Sequence, residues 1–293
     1  MTGGADLAWR WAIAERIAAA YGPAPRLAVL AVAGSVGTGW ADRWSDLELD
    51  CYWLDPPTDD QRRAPVEQVG GRIEAFWEYD ETDREWSEDY RVDGLGVTVS
   101  NFTVATMDEF LRDVVEEADT DRVKHYRLAA VQRARPVRGS SQLAAWRQKA
   151  AGFPDRLVAA LVTEALAPEI LAGWAAREVL AERGDTAALH ALLSHIEQSV
   201  LGALLALNRT YRPHRILKWQ RRMVDELSVA PAGLAQLLAD LWAPSWEIAL
   251  GAAERLLLDT ADLAERHAPV QLGELRQAVA ERRRPLDPPA PLS

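Results

Sequence analysis

Three carboxylates stand at alternate positions in one short run, Asp46-Leu47-Glu48-Leu49-Asp50-Cys51-Tyr52-Trp53. Alternation with period two is strand geometry. Leu47, Leu49, Cys51 and Trp53 then share one face, and Asp46, Glu48, Asp50 and Tyr52 the other. Three acids in a row on one face repel one another, and a divalent cation is the usual means of offsetting that repulsion. Hard cations take oxygen ligands, and Mg²⁺ typically uses one or two carboxylates together with substrate phosphates. The bland alternative is an edge strand with a solvated acidic face. Upstream, the apolar run 27–32 ends in a turn of small residues, Gly34-Ser35, with Gly37 and Gly39 close behind.

A strand, a Gly-Ser turn, and then Ser45-Asp46-Leu47-Glu48-Leu49 resembles the signature of the polymerase-β-type nucleotidyltransferase superfamily. Within it, the chain is most similar to the small-molecule group that includes the aminoglycoside and lincosamide nucleotidyltransferases. The resemblance implies that Gly34 and Ser35 hold nucleotide phosphates and that Asp46 and Glu48 bind Mg²⁺. A second stretch extends it: Phe153-Pro154 opening a helix, Arg183-Gly184-Asp185, then Asn208, Tyr211 and Lys218-Trp219. By the same analogy this helical region faces the active site across a cleft, Lys218 neutralises the triphosphate, and Tyr211 and Asn208 line the nucleotide or acceptor pocket. Arg209, Arg212, His214, Arg215, Lys218, Arg221 and Arg222 make this the most basic stretch of an acidic chain. They suit phosphates; the alternative is a helix face paired with acids such as Asp225 and Glu226.

The resemblance implies Mg²⁺-dependent transfer of a nucleoside monophosphate from a nucleoside triphosphate, ATP first among them, to a hydroxyl of a small antibiotic-like molecule or other metabolite. Pyrophosphate is released. One position departs from the pattern. A third carboxylate is expected on a neighbouring strand between two apolar residues, and the matching segment is Val97-Thr98-Val99. Threonine is neither a charged metal ligand nor a strong base. Asp50, Asp93 or an acid within 78–89 would have to substitute. The alternative is a nucleotidyltransferase fold that has lost transfer and serves as a ligand binder, a regulator or a recruited natural-product enzyme.

The elements that must position these residues follow from spacing. Trp9, Ile13, Ile17 and Ala20 form a helical stripe ended by Gly22-Pro23. A helix with Pro65 inside it is expected over 59–72, and a short strand over 73–77. The acidic segment 78–89 reads as a solvated hairpin, or as the wall of a pocket for a cationic substrate. A strand region covers 90–104. A helix capped at Thr106 runs to about 117, and another over 122–131 carries Lys124 and His125. Trp40 and Trp44, between the turn and the acidic strand, read either as a stacking surface for a base or sugar or as loop packing. From Gln142 onward every segment is helical in pattern, with Trp242 and Trp246 expected in the core. With the mixed-sheet nucleotidyltransferase domain that the resemblance implies over 1–138, the expected fold class is α+β, followed by an all-α bundle over 139–281 and a Pro-rich tail over 282–293 expected to be disordered.

Composition bounds the rest. At 293 residues two domains are expected. A net charge of −11 argues against non-specific contact with nucleic acid or anionic membrane. One cysteine, Cys51, excludes an internal disulfide and fits the cytosol. No window is apolar enough for a membrane span. Lysine is scarce beside arginine, with only Lys124, Lys149 and Lys218. The expected partners are a nucleotide and a small-molecule acceptor, and the sequence does not specify an oligomeric state.

Overall fold

A computed structural model describes residues 3–284 except Pro23, Pro25 and Ile216. The chain is α+β and divides into two compact units between Phe153 and Pro154, one helix later than the expected boundary.

The first unit opens with α1 (Gly3–Tyr21), β1 (Leu27–Val32), the short helix α2 (Gly34–Thr38) and β2 (Leu47–Trp53). It continues through α3 (Asp59–Gln68) and three strands, β3 (Arg72–Asp80), β4 (Glu85–Val92) and β5 (Leu95–Thr103). It closes with α4 (Val104–Glu116), α5 (Arg122–Arg133), β6 (Arg135–Arg138) and α6 (Ser140–Ala150). The six strands form one sheet in the order β3-β4-β5-β2-β1-β6. Only β2 and β5 pair in parallel, with Leu47 opposite Val97 and Glu48 opposite Thr98.

One face of this sheet is a conventional core. Leu47, Leu49, Cys51 and Trp53 of β2 pack with Val97 and Val99 of β5, Leu30 and Val32 of β1, Ile13 and Ile17 of α1, and Val66 of α3. The buried stripe of α1 is Arg10, Ile13, Ala14, Ile17 and Tyr21, while Trp9 is exposed. The stripe differs from the expected one because the Arg10 guanidinium is drawn inside to bind the Ser45 carbonyl.

The other face closes progressively along β2. Tyr52 stacks on Phe102 at 5.4 Å and meets the edge of Trp146 at 4.8 Å. Trp146 lies on α6 and donates from Nε1 to Asp108 of α4 at 2.8 Å. Those contacts make α6 part of the first unit.

The acidic segment forms the β3–β4 hairpin, yet it is not wholly solvated. Glu88 has no exposed surface, and its carboxylate accepts from Arg62 at 2.8 Å and from Asn101 at 2.9 Å. Asn101 in turn accepts from the Trp53 indole at 2.9 Å. Strand alternation sends Glu88 to the core face, and Arg62 from α3 compensates it. The α3 helix tolerates Pro65 and carries a capping box of Thr58 and Gln61. The cap of α4 is Thr103 rather than Thr106, because the chain leaves β5 directly into the helix.

The second unit is helical. Its helices are α7 (Asp155–Ala165), α8 (Arg177–Arg183), α9 (Thr186–Leu207), α10 (Gln220–Asp225), α11 (Leu234–Asp240), α12 (Trp246–His267) and α13 (Gly273–Ala280). Helix α9 is apolar over most of its circumference and is buried by α7 and α12. Trp242, expected in the core, is exposed, and Trp246 is half-buried. Both rings tilt against His190, at 5.9 and 5.3 Å. The part of the expected Pro-rich tail beyond 284 lies outside the described residues, and Arg282, within them, pairs with Glu178 and Glu254. Among the described residues no single helix is long and apolar enough to cross a membrane.

Candidate functional site

The acidic run is delivered by a loop fastened at both ends. Ser35 sits in α2, and its carbonyl accepts from the amides of Trp40 and Ala41 at 2.8 and 2.9 Å and from the Thr38 hydroxyl at 3.0 Å. At the far end, buried Arg10 donates twice to the Ser45 carbonyl, at 2.8 and 2.6 Å. The Asp42 carboxylate accepts from the Trp44 amide at 2.9 Å and from the Ser45 hydroxyl at 3.1 Å. The Trp44 amide bond holds the Asp42 carboxyl below its usual range. These bonds fix where Asp46 begins.

Gly34 and Glu48 meet directly. Gly34 has φ +55°, the left-handed region that favours glycine. A Cβ there would lie 2.3 Å from one Glu48 carboxylate oxygen and 2.9 Å from the other. The Ala33 amide donates to the Glu48 carbonyl at 2.9 Å. Gly37 is equally obligatory, since a Cβ would lie 2.4 Å from the Val32 carbonyl oxygen. Two of the small residues singled out in the sequence thus allow α2 to close on β1 and β2.

Asp46 precedes β2 and is exposed, with its Cβ near Gly96 at the start of β5. Glu48 is half-buried and Asp50 buried. The register extends this polar face across three strands. Glu48 lies opposite Thr98, and Thr98 opposite Asp89 of β4. The Thr98 hydroxyl donates to the Asp89 carboxylate at 2.6 Å. The carboxylate absent from β5 therefore has a neighbour on the next strand, within the 78–89 segment named from the sequence. Asp93 is instead paired with Arg16 at 2.7 Å.

Deeper on the same face, Glu85 of β4 pairs with Arg127 of α5 at 2.8 Å. The Arg127 guanidinium lies over the Phe102 ring at 4.5 Å. Burial pushes the Asp50 carboxyl up to about 7, against the attraction of Arg127 and with added repulsion from Glu48 and Glu85. The Tyr52 hydroxyl donates to Asp50 at 3.5 Å. Asp50 thus stands behind the exposed acids rather than among them. Sequence alternation put it on the right face but held no signal for the lid that α5 and α6 make over it.

The remaining expected site residues lie in the second unit. Asn208 ends α9, and both of its amide protons go to carbonyls, of Leu204 at 2.7 Å and Val229 at 2.8 Å. Its side-chain oxygen accepts from the amides of Ser228 and Val229 and from the Ser228 hydroxyl. Tyr211 is fully buried, and burial raises its hydroxyl above the ordinary tyrosine range. The structure thus gives both residues work in the scaffold. Lys218 is exposed. In the first unit, Lys124 of α5 is spent on Asp113 and Asp119, and His125 is buried with its ring on the Asp119 carbonyl.

Among the described residues no three or more His, Cys, Asp or Glu side chains gather as a cation cage. Asp46 and Glu48 are a two-carboxylate set, with Glu48 seated in space that only a glycine leaves. That donor set fits Mg²⁺, which is held through one or two carboxylates and substrate phosphates rather than by an all-protein cage.

Residues 121–220, about a third of the chain, match a family described as a domain of unknown function, DUF4037. No curated protein matches the chain. Among solved structures it is similar to a nucleotidyltransferase-like protein from Exiguobacterium sibiricum 255-15, with 12% identity over 85% of this chain and 74% of that one and a TM-score of 0.38.

Proposed function

We propose that this chain is a Mg²⁺-dependent nucleotidyltransferase that moves a nucleoside monophosphate from a nucleoside triphosphate, ATP first among them, to a hydroxyl of a small molecule. The observation that carries this reading is the seating of the Glu48 carboxylate on Gly34, which locks a Gly-Ser turn to an acidic strand. Asp46 and Glu48 hold the cation, and Gly34 and Ser35 border the phosphates. Bound there, Mg²⁺ neutralises phosphate charge. The acceptor hydroxyl oxygen attacks the α-phosphorus, the bond to the bridging oxygen breaks, and pyrophosphate leaves. The hydroxyl proton passes to a carboxylate, for which Asp89, held by Thr98, is the candidate. The chain's contribution is positioning and charge neutralisation.

A second reading has its own support. Thr98 lies beside Glu48 in register, so β5 offers no carboxylate there, and Asp50 is buried. A nucleotide binder without transfer activity fits those two facts.

Isothermal titration with ATP, GTP, CTP and UTP, with and without Mg²⁺, tests the shared premise. Mg²⁺-dependent binding that disappears in Asp46→Ala/Glu48→Ala is expected. Unchanged binding in that double variant, or no binding of any triphosphate to the wild type, would remove the assignment. Pyrophosphate release in the presence of hydroxyl acceptors then separates transferase from binder.

A further inference from the structure

Trp44 is the most exposed large apolar side chain in the described structure, at 80% against 44% for Trp9, 48% for Trp77 and 45% for Trp242. Leaving an indole in water forgoes the burial that usually accounts for a tryptophan. A floppy loop would explain it, but this loop is fixed. The Trp44 amide is bound by Asp42, and the Ser45 carbonyl takes both bonds from Arg10. Burying a guanidinium is costly unless its hydrogen bonds are made, and here that cost is met to hold the peptide that follows Trp44. The Arg43 guanidinium stands 4.8 Å from the Trp44 ring centroid, and Asp46 is two residues on. A solvent-facing ring on a pinned backbone, with a cation beside it, thus stands two residues before Asp46, one of the acids that the proposed function assigns to Mg²⁺.

We infer that Trp44 is the stacking platform for the nucleobase of the bound nucleoside triphosphate. The inference rests on the nucleotide site proposed above and adds the residue that reads the base. Every base presents a π-face, so a stacked indole binds all four and favours the larger purines. Arg43 extends the platform with a charge suited to the same ligand.

The test separates base from phosphates. Titrations compare MgATP, MgUTP and magnesium tripolyphosphate on the full chain, using wild type, Trp44→Ala, Trp44→Phe and Asp46→Ala. Trp44→Ala should weaken MgATP by roughly tenfold or more. It should weaken MgUTP less and leave tripolyphosphate unchanged, while Trp44→Phe keeps most of the ATP affinity. Asp46→Ala should weaken all three ligands. If Trp44→Ala binds MgATP like the wild type while Asp46→Ala does not, the stacking role is wrong and the nucleotide site stands. Equal losses of MgATP and tripolyphosphate in Trp44→Ala would also overturn it, because the ring would then support the loop rather than the base. A wild type that binds none of the three ligands would remove the nucleotide site itself and the stacking role with it.

Discussion

The Glu48 carboxylate rests on the bare Cα of Gly34, so close that an added methyl group would meet it at 2.3 Å. The same glycine sits at φ +55°. Gly34→Ala therefore meets two obstacles, a left-handed backbone and an occupied space, and should cost about 1–3 kcal/mol of stability. It should also push the Glu48 side chain away from its seat. The expected outcome is a folded variant by circular dichroism, with a lowered melting temperature and weakened Mg²⁺-dependent nucleotide binding. A variant that melts earlier but binds normally would show that the seat is structural alone.

Thr98 and Asp89 offer a test of how charge is arranged on this face. Thr98→Asp places a second carboxylate beside Asp89, one strand from Glu48. Like charges opposed across strands destabilise, here by about 1 kcal/mol. Melting in EDTA should therefore fall below the wild type, and Mg²⁺ should restore more stability to the variant than it adds to the parent. If Mg²⁺ makes no difference to either protein, these acids do not face a cation. Gain of pyrophosphate release in the variant alone would favour the reading in which transfer has been lost.

Asn208 and Lys218 are both expected from the sequence to serve a site, and their surroundings differ. Asn208 makes five hydrogen bonds that tie the end of α9 to Ser228 and Val229. Asn208→Ala should cost about 2–3 kcal/mol in the ligand-free protein. Lys218 is exposed, so Lys218→Ala should change stability by no more than about 0.5 kcal/mol. If Lys218 serves the triphosphate, nucleotide affinity falls by roughly tenfold or more. Paired melting and titration curves decide both. Normal melting of Asn208→Ala with weakened nucleotide binding would return Asn208 to the ligand.

Local pattern carried much of this. The alternation in 46–53 placed Glu48 and Asp50 on one face, as the pairings with Thr98 and Ser100 bear out. The helical phasing from Gln142 onward anticipated the second unit. What sequence could not carry was partnership at a distance. Glu88 looked like one acid of a solvated hairpin because nothing local announces Arg62, 26 residues upstream. Nothing local brings Arg10 into the buried stripe of α1 either, since its acceptor is the Ser45 carbonyl, 35 residues on. Among the acids of 78–89, Asp89 is set apart only by the β4–β5 register, which places it against Thr98. The domain boundary moved for the same reason, because Trp146 belongs with Tyr52 through a contact that no linker signal encodes.

Asp50 gives the site a pH signature of its own. Its folded carboxyl is raised from 3.8 to about 7, chiefly by burial. A raised acid means that the folded chain holds a proton the unfolded chain has already released. Between about pH 4 and pH 7 the folded state binds more protons, so this group's contribution to stability falls as pH rises through that window. Above about 7 the full penalty of a buried charge remains. Glu88, raised to about 6 by burial, adds to the decline with the same sign. Asp50→Asn removes one share and leaves the other. In metal-free buffer, urea unfolding of the variant should decline less steeply from pH 4 to 7 than the wild type, and at pH 8 the variant should be the more stable by a few kcal/mol. Arg127 keeps its partner Glu85 in that variant, so no orphaned cation confuses the comparison. Parallel profiles for the two proteins would mean that Asp50 is ionised in the folded state, with Arg127 and Tyr52 compensating its charge in full.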